Sequence, residues 1–245
     1  MKTNKKDGIN IFYSELRQHS KPYNSTIAFE KFLFRNKVLS VKKSQCILDV
    51  GTGIGSNLRY FSTKYKKNKF IGTDYNKLKI KMAKKFVKNS NVDFFYQNMD
   101  KFDKKFIGKF DGIIAIHTLC CFKDIKKPLE FMCSLKPKWL AANSLFYNGP
   151  LDVLIHVRNH KHKHIKDDNP NGDFNIHSLI RTSKLLKKYG YRLFNVKPYF
   201  PDKKIPKPKH GIRGSYTIKT EFNKFTTFSG PVHLPWHFII AKKYK

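Results

Sequence analysis

The sequence is short of acid. Only 17 Asp and Glu stand against 50 Lys and Arg, which leaves a net charge of +33 over 245 residues. Within that excess arginine is scarce, with about six lysines for each. Proteins that read phosphates and bases favour the arginine fork, and here the lysines are spread along the whole chain. The excess therefore points more to a solvated surface, of the kind an AT-rich coding sequence produces alongside abundant Asn, Ile, Phe and Tyr, than to a dedicated nucleic-acid face. A nucleic-acid partner stays possible but is not favoured. Cysteine is also sparse: Cys46, Cys120, Cys121 and Cys133 form no C-x-x-C pair and sit in apolar segments. They read as buried thiols of a reducing compartment. No apolar run approaches bilayer-spanning length, and Met1 to Ile11 lacks the apolar middle of a secretory signal. The expectation is a soluble, cytoplasmic chain of one domain with appendages.

What is present centres on Cys46-Ile47-Leu48-Asp49-Val50-Gly51-Thr52-Gly53-Ile54-Gly55-Ser56. An apolar, β-branched run of this kind reads as a buried parallel strand. It breaks into alternating glycines, which permit a tight turn and a close approach of backbone to ligand, and a helical pattern follows. Amides at the start of such a helix favour an acceptor-rich group. Spacing narrows the ligand. A dinucleotide turn needs G-x-G-x-x-G, but counting from Gly51 puts Ser56 in the third place, and counting from Gly53 puts Leu58 there. No Gly-Lys-Ser/Thr follows, so the turn is not a P-loop. The pattern that fits is Asp-x-Gly-x-Gly-x-Gly, at Asp49, Gly51, Gly53 and Gly55.

That pattern resembles motif I of class I S-adenosylmethionine (SAM)-dependent methyltransferases, in particular the small-molecule, type 11/12-like members. The resemblance implies SAM as cofactor, held by Asp49, Gly51, Thr52, Gly53 and Gly55. A carboxylate at Asp49 repels a pyrophosphate but suits the ammonium of the methionine part. The next strand, Lys69 to Asp74, ends in an acid 23 residues after Gly51, where a ribose diol is held by a carboxylate. A plain helix N-cap at Asp74 with Asn76 is the simpler alternative. Tyr75 then lies near the adenine. After a third strand, Val92 to Tyr96, the resemblance puts Met99 on the adenine ring and Asp100 on its amino group. An exposed turn Asp is the competing reading of Asp100.

The resemblance continues along the chain. Phe110 to His117 is similar to the family's fourth strand, which places His117 where the donor methyl meets the acceptor. Leu135-Lys136-Pro137 resembles the turn before strand five (Leu140 to Phe146), although Lys138-Trp139 replaces the glycines usual after it. A helix from Ile176 to Tyr189, a strand from Tyr191 to Lys197 and a last strand from Trp236 complete the set. In the helix from Asn76 to Asn89, Leu78, Met82 and Phe86 recur at helical spacing and are expected to face the sheet.

The expected fold is α/β: a Rossmann-like, doubly wound, mostly parallel seven-stranded sheet. Residues 1–40 form an N-terminal helical cap and 41–245 the methyltransferase domain, with substrate-side insertions at 148–175 and 198–235. The expected activity is methyl transfer to a small or glycosylated polar acceptor, at oxygen. RNA methylation, suggested by the charge, and a non-catalytic SAM-fold subunit are the alternatives. No N/D-P-P-Y/F run and no Pro-Cys pair follows strand four, which weighs against the common base-methylating chemistries. A hydroxyl acceptor needs a base, and His117 and His156 are the candidates. Arg158 shares an alternating run with His156 and is a candidate for an anionic substrate. Arg213, between Gly211 and Gly214, can fork onto a carboxylate or phosphate, and Tyr216 can stack on a ring. Both can equally serve to pin their loop. His160, His162 and His164 alternate with lysines and lack an acidic or thiol partner at metal spacing, so no metal site is expected.

Overall fold

The computed structural model describes residues 21–99, 106–156, 174–208 and 215–244. The chain divides into two compact units, one made of Met1–Ile116 with Leu135–Trp139, the other of His117–Ser134 with Leu140–Lys245. The central sheet is mostly parallel and has seven strands, in the doubly wound α/β arrangement expected.

In the first unit β1 (Cys46–Val50), β2 (Lys69–Asp74), β3 (Val92–Tyr96) and β4 (Gly112–Ile116) lie in the order β3-β2-β1-β4, all parallel. Every residue of β4 is buried, as are four of the five in β1, the pattern of strands covered on both faces. Helix α1 (Asn24–Arg35) buries Phe29, Phe32 and Leu33. It is tied to α2 (Ser56–Lys64) by the Thr26 hydroxyl, which donates to Asn57 Oδ1 at 2.9 Å. The buried carboxylate of Glu30 adds to that tie, accepting from Lys64 Nζ at 2.9 Å and from the Tyr65 hydroxyl just beyond α2.

Helix α3 (Lys77–Phe86) starts at Asn76, whose side chain accepts the amides of Leu78 and Lys79. The buried face corrects the expected inner face. Leu78 is 64% exposed, while Ile80, Ala83 and Val87 are buried. The smaller stripe at i, i+3, i+7 brings the helix close to the sheet and leaves the larger side chains of the first turn outside. The departure at Lys138-Trp139 also has its explanation. Lys138 Nζ meets Asp111 Oδ1 at 2.7 Å, and Trp139 lies over Gly112, where an added Cβ would meet the indole at 2.1 Å.

The second unit holds most of β5 (Trp139–Tyr147) together with β6 (His177–Ser178), β7 (Tyr191–Pro198) and β11 (Trp236–Lys243). The order is β5-β11-β7, with β11 antiparallel to β7 and β6 parallel to β5. Helices α4 (Lys126–Ser134) and α5 (Leu179–Lys188) complete it. The second of these begins three residues later than the sequence suggests. Ile176 bridges to Val153 and His177 pairs with Phe146, so the chain stays extended until Ser178 caps the helix, accepting the Arg181 amide at 3.1 Å. The long segment before β11 folds into a second sheet. Its strands β8 (Ser215–Lys219), β9 (Phe225–Ser229) and β10 (Val232–Leu234) lie in the order β10-β9-β8, all antiparallel. Among the described residues no helix is long and apolar enough to cross a membrane.

Candidate cofactor and acceptor sites

The glycine turn lies in the first unit, at the carboxyl ends of β1 and β2. Gly51, Gly53 and Gly55 have φ of 75°, 57° and 81°, in the left-handed region that L side chains adopt at a cost. Two of these glycines serve different ends. A Cβ on Gly55 would strike the buried Phe94 ring at 2.6 Å, so this glycine lets the turn pack on β3. A Cβ on Gly53 would meet nothing within 4 Å. Its φ alone calls for glycine, and the open space leaves room for a ligand beside the backbone. The amides of Gly51 and Thr52 both reach Thr73 O, at 2.8 and 3.0 Å, which folds the turn back onto β2.

Three polar side chains surround this turn. Asp74 ends β2, 8% exposed; its Oδ2 accepts the Gly53 amide at 3.0 Å and its Oδ1 the Asn76 amide at 2.9 Å. Asp49 is 1% exposed, and burial pushes its carboxyl up to about 7. The adjacent Thr52 hydroxyl pulls it partly back, and the Asp74 charge raises it further. Yet among the described residues neither oxygen of Asp49, nor the Thr52 hydroxyl, has a partner of hydrogen-bonding geometry. A buried carboxylate without a partner is costly, so its retention points to a cationic or donor-bearing ligand. Helix α2 begins at Ser56, directly after Gly55, so its positive N-terminal end lies at this turn.

These features fit SAM: a buried acid for the ammonium, a helix N-terminus for the carboxylate, an acid at the end of β2 for the ribose, and open space over Gly53. Tyr75, the next residue, is 70% exposed, and Met99 is partly buried shortly after β3. Asp100, the expected partner of the adenine amino group, lies outside the described residues.

The second unit holds another cluster, around His117. This residue directly follows β4 and has φ 58°. Its backbone N–H donates to Asn143 O at 2.8 Å, and Asn143 Nδ2 donates to its Nε2 at 3.0 Å. The ring lies 4.5 Å from that of Trp236, at the start of β11. The residue keeps partial exposure, but protein surrounds the imidazole, and this desolvation pushes it down to about 4. At neutral pH His117 is uncharged, with Nε2 occupied as an acceptor. The turn after it, Leu119–Cys121, brings both Cys120 and Cys121 thiols to His117 O.

Of the other sequence candidates, His156 is exposed on the segment after β5. Tyr216 is engaged within the small sheet: its hydroxyl donates to Gly230 O at 2.8 Å and its ring stacks on Phe228 at 5.8 Å. Arg158 and Arg213 lie outside the described residues, as do His160, His162 and His164. Among the described residues no group of His, Cys, Asp and Glu is placed to hold a metal. Asn143 and Trp236 are the partners that sequence reasoning missed. An Asn in the middle of an otherwise apolar strand is the signal that singles out the first.

A family model described as "Methyltransferase domain" matches residues 47–137. No curated protein sequence matches the chain. Among solved structures, a SAM-dependent methyltransferase from Aquifex aeolicus is 17% identical, with TM-score 0.56, over 94% of this chain and 98% of that one. The 1,6-didemethyltoxoflavin-N1-methyltransferase of Burkholderia thailandensis, solved with its substrate and S-adenosylhomocysteine, is 15% identical with TM-score 0.57, over 98% of this chain and 87% of that one. The magnesium protoporphyrin IX methyltransferase of Synechocystis PCC 6803, with bound SAH, is 13% identical with TM-score 0.54, over 89% and 82%. Residues 47–137 thus match a methyltransferase domain, and the sheet has the fold of the SAM-dependent methyltransferases it resembles. A SAM-type cofactor fits the glycine turn described above.

Proposed function

We propose that the enzyme methylates a small or glycosylated polar acceptor at an oxygen that is readily ionised. The observation that carries this reading is the neutral His117, held at about 4 by burial and engaged at Nε2 by Asn143. A base of that strength is poorly matched to an ordinary hydroxyl, since efficient proton transfer needs a pKa near the working pH. An acidic hydroxyl or a carboxylate needs little such help, and the excess of positive charge draws anionic molecules towards the chain.

When bound, SAM supplies an electrophilic sulfonium methyl. In this reading Asp49 and the first amides of α2 hold its amino-acid part, Asp74 its ribose, and Tyr75, Met99 and Asp100 its adenine. His117, fixed by Asn143 and Trp236, forms a rigid neutral wall for the acceptor. His156 takes the proton where one must leave. Arg158 and Arg213 supply charge to the acceptor's anionic part, and Tyr216 braces the loop that carries Arg213. Catalysis then rests mainly on holding acceptor oxygen and methyl in line.

Transfer of labelled methyl from SAM into fractionated cell extract tests this reading. Label in base-labile esters or aryl ethers of the small-molecule fraction supports it. Label confined to RNA favours the second reading, an RNA methyltransferase, for which the net charge of +33 is the observation.

A further inference from the structure

The second unit contains a cavity of about 600 Å³, open to solvent, between α5 and the strands β7 and β11. Its volume is in the range of small-molecule sites. Leu179 and Ile180 from α5 and Leu193 and Val196 from β7 form the apolar walls. Ile180 stays 44% exposed, an apolar side chain left uncovered at the cavity.

Four polar residues also line it: Asn148 just after β5, Ser183 and Lys184 on α5, and His237 on β11. Arg181, on the same helix, is already paired with both Asp124 and Asp152, at 2.8 Å each. Lys184 forms no ion pair among the described residues. Its side chain is exposed to solvent at the cavity. His237 Nδ1 donates to Pro235 O at 2.9 Å. That bond fixes the tautomer, so Nε2 is an acceptor in the neutral ring.

The cavity is separate from the His117 cluster. Successive residues of a strand point to opposite faces. Trp236 packs on His117, and His237, the next residue, lines the cavity. A ligand here lies on the other face of β11 from the His117 ring.

We propose that this cavity is a second small-molecule site, which takes an amphipathic carboxylic acid. The carboxylate pairs with Lys184 and the Ser183 hydroxyl, and an aliphatic body of roughly eight carbons covers Leu179, Ile180, Leu193 and Val196, a size that suits a cavity in this range. The four apolar side chains supply the driving force by losing contact with water. The single lysine selects the anionic head over an uncharged one. The molecule needed for methyl transfer plays no part in this site, so the inference stands independently of the acceptor proposed above.

Calorimetric titration with sodium octanoate, with 1-octanol as the uncharged control, tests the proposal on the full chain. Octanoate is expected to bind at one site, and more tightly than octanol. Lys184→Met is expected to remove that preference, reducing octanoate affinity about tenfold and leaving octanol within about twofold. Leu193→Trp, which fills the cavity, is expected to abolish both, with S-adenosylhomocysteine affinity unchanged as the sign that the protein is folded. If Leu193→Trp does not fold, Ile180→Trp at the half-exposed helix position serves instead. Absence of octanoate binding to the wild type overturns the proposal. So does equal binding by a folded cavity-filled variant, which would mean adsorption to the basic surface.

Discussion

The carboxylate of Asp74 accepts the backbone N–H of Gly53 at 3.0 Å. One bond thus joins the end of the second strand to the middle of the glycine turn, 21 residues away. The acid assigned to the ribose is also the acid that fixes the turn, so the two halves of the cofactor site cannot be perturbed separately.

Asp74→Ala is therefore expected to weaken SAM binding through two losses, the charged acceptor and the anchor of the Gly53 amide. Together these cost roughly 2–4 kcal/mol. Asp74→Asn keeps one amide acceptor and is expected to cost about half as much. Calorimetry on the folded variants measures both, and affinity unchanged in Asp74→Ala would remove the ribose assignment.

Asp49 predicts an unusual dependence on pH. Its folded pKa, about 7, lies above the ordinary 3.8, so the native state holds a proton that the unfolded state has released. This contribution to stability is complete below about pH 4 and is lost as pH rises through 7, a change of at most about 4 kcal/mol. Asp49→Asn is expected to melt higher than the wild type at pH 8 and to show a flatter pH dependence. SAM affinity is expected to run the other way: it rises as the wild-type carboxylate ionises to meet the ammonium, and is weak and pH-independent in Asp49→Asn. Thermal melts and titrations between pH 5 and 8 check both slopes. A stabilised variant that still binds SAM normally would leave Asp49 without the ligand role.

His117→Gln separates a wall from a base. Removing a general base costs on the order of 10²–10⁴-fold in rate, whereas replacing a neutral, amide-bonded imidazole by a neutral amide is expected to cost at most about tenfold. At saturating SAM the wild-type kcat is expected to show no titration of His117 above pH 5, because the ring stays neutral there. A hundredfold loss in the variant, with a wild-type profile that falls below pH 6.5, would restore the base.

Much of the sheet was legible because its strands are short, apolar and closed by recognisable turns. Lys69–Asp74 and Val92–Tyr96 have the bounds that the sequence suggested. The inner face of α3 was not, since Leu78, Met82 and Phe86 match helical spacing as well as Ile80, Ala83 and Val87 do. Size favours the larger set, and only packing against the sheet decides between them. At the glycine turn, spacing already placed Asp49 and Asp74 close together, because the chain fixes their positions through two adjacent parallel strands. The His117 cluster is built from residues far apart in sequence: His117 meets Asn143 and Trp236 across 26 and 119 positions. No local pattern encodes that meeting. Tyr216 illustrates the same limit, because its bond to Gly230 depends on how the β8–β9 hairpin and the turn after it fold.

The most direct test is calorimetric titration of S-adenosylhomocysteine into the wild type and Gly53→Val. A Cβ at Gly53 meets no atom of the described residues within 4 Å, so the substitution is expected to obstruct the ligand's approach at a backbone cost of about 1–2 kcal/mol. The account predicts one binding site in the wild type and none in a variant that still melts cooperatively. Equal binding by both proteins, or none by the wild type, would contradict it.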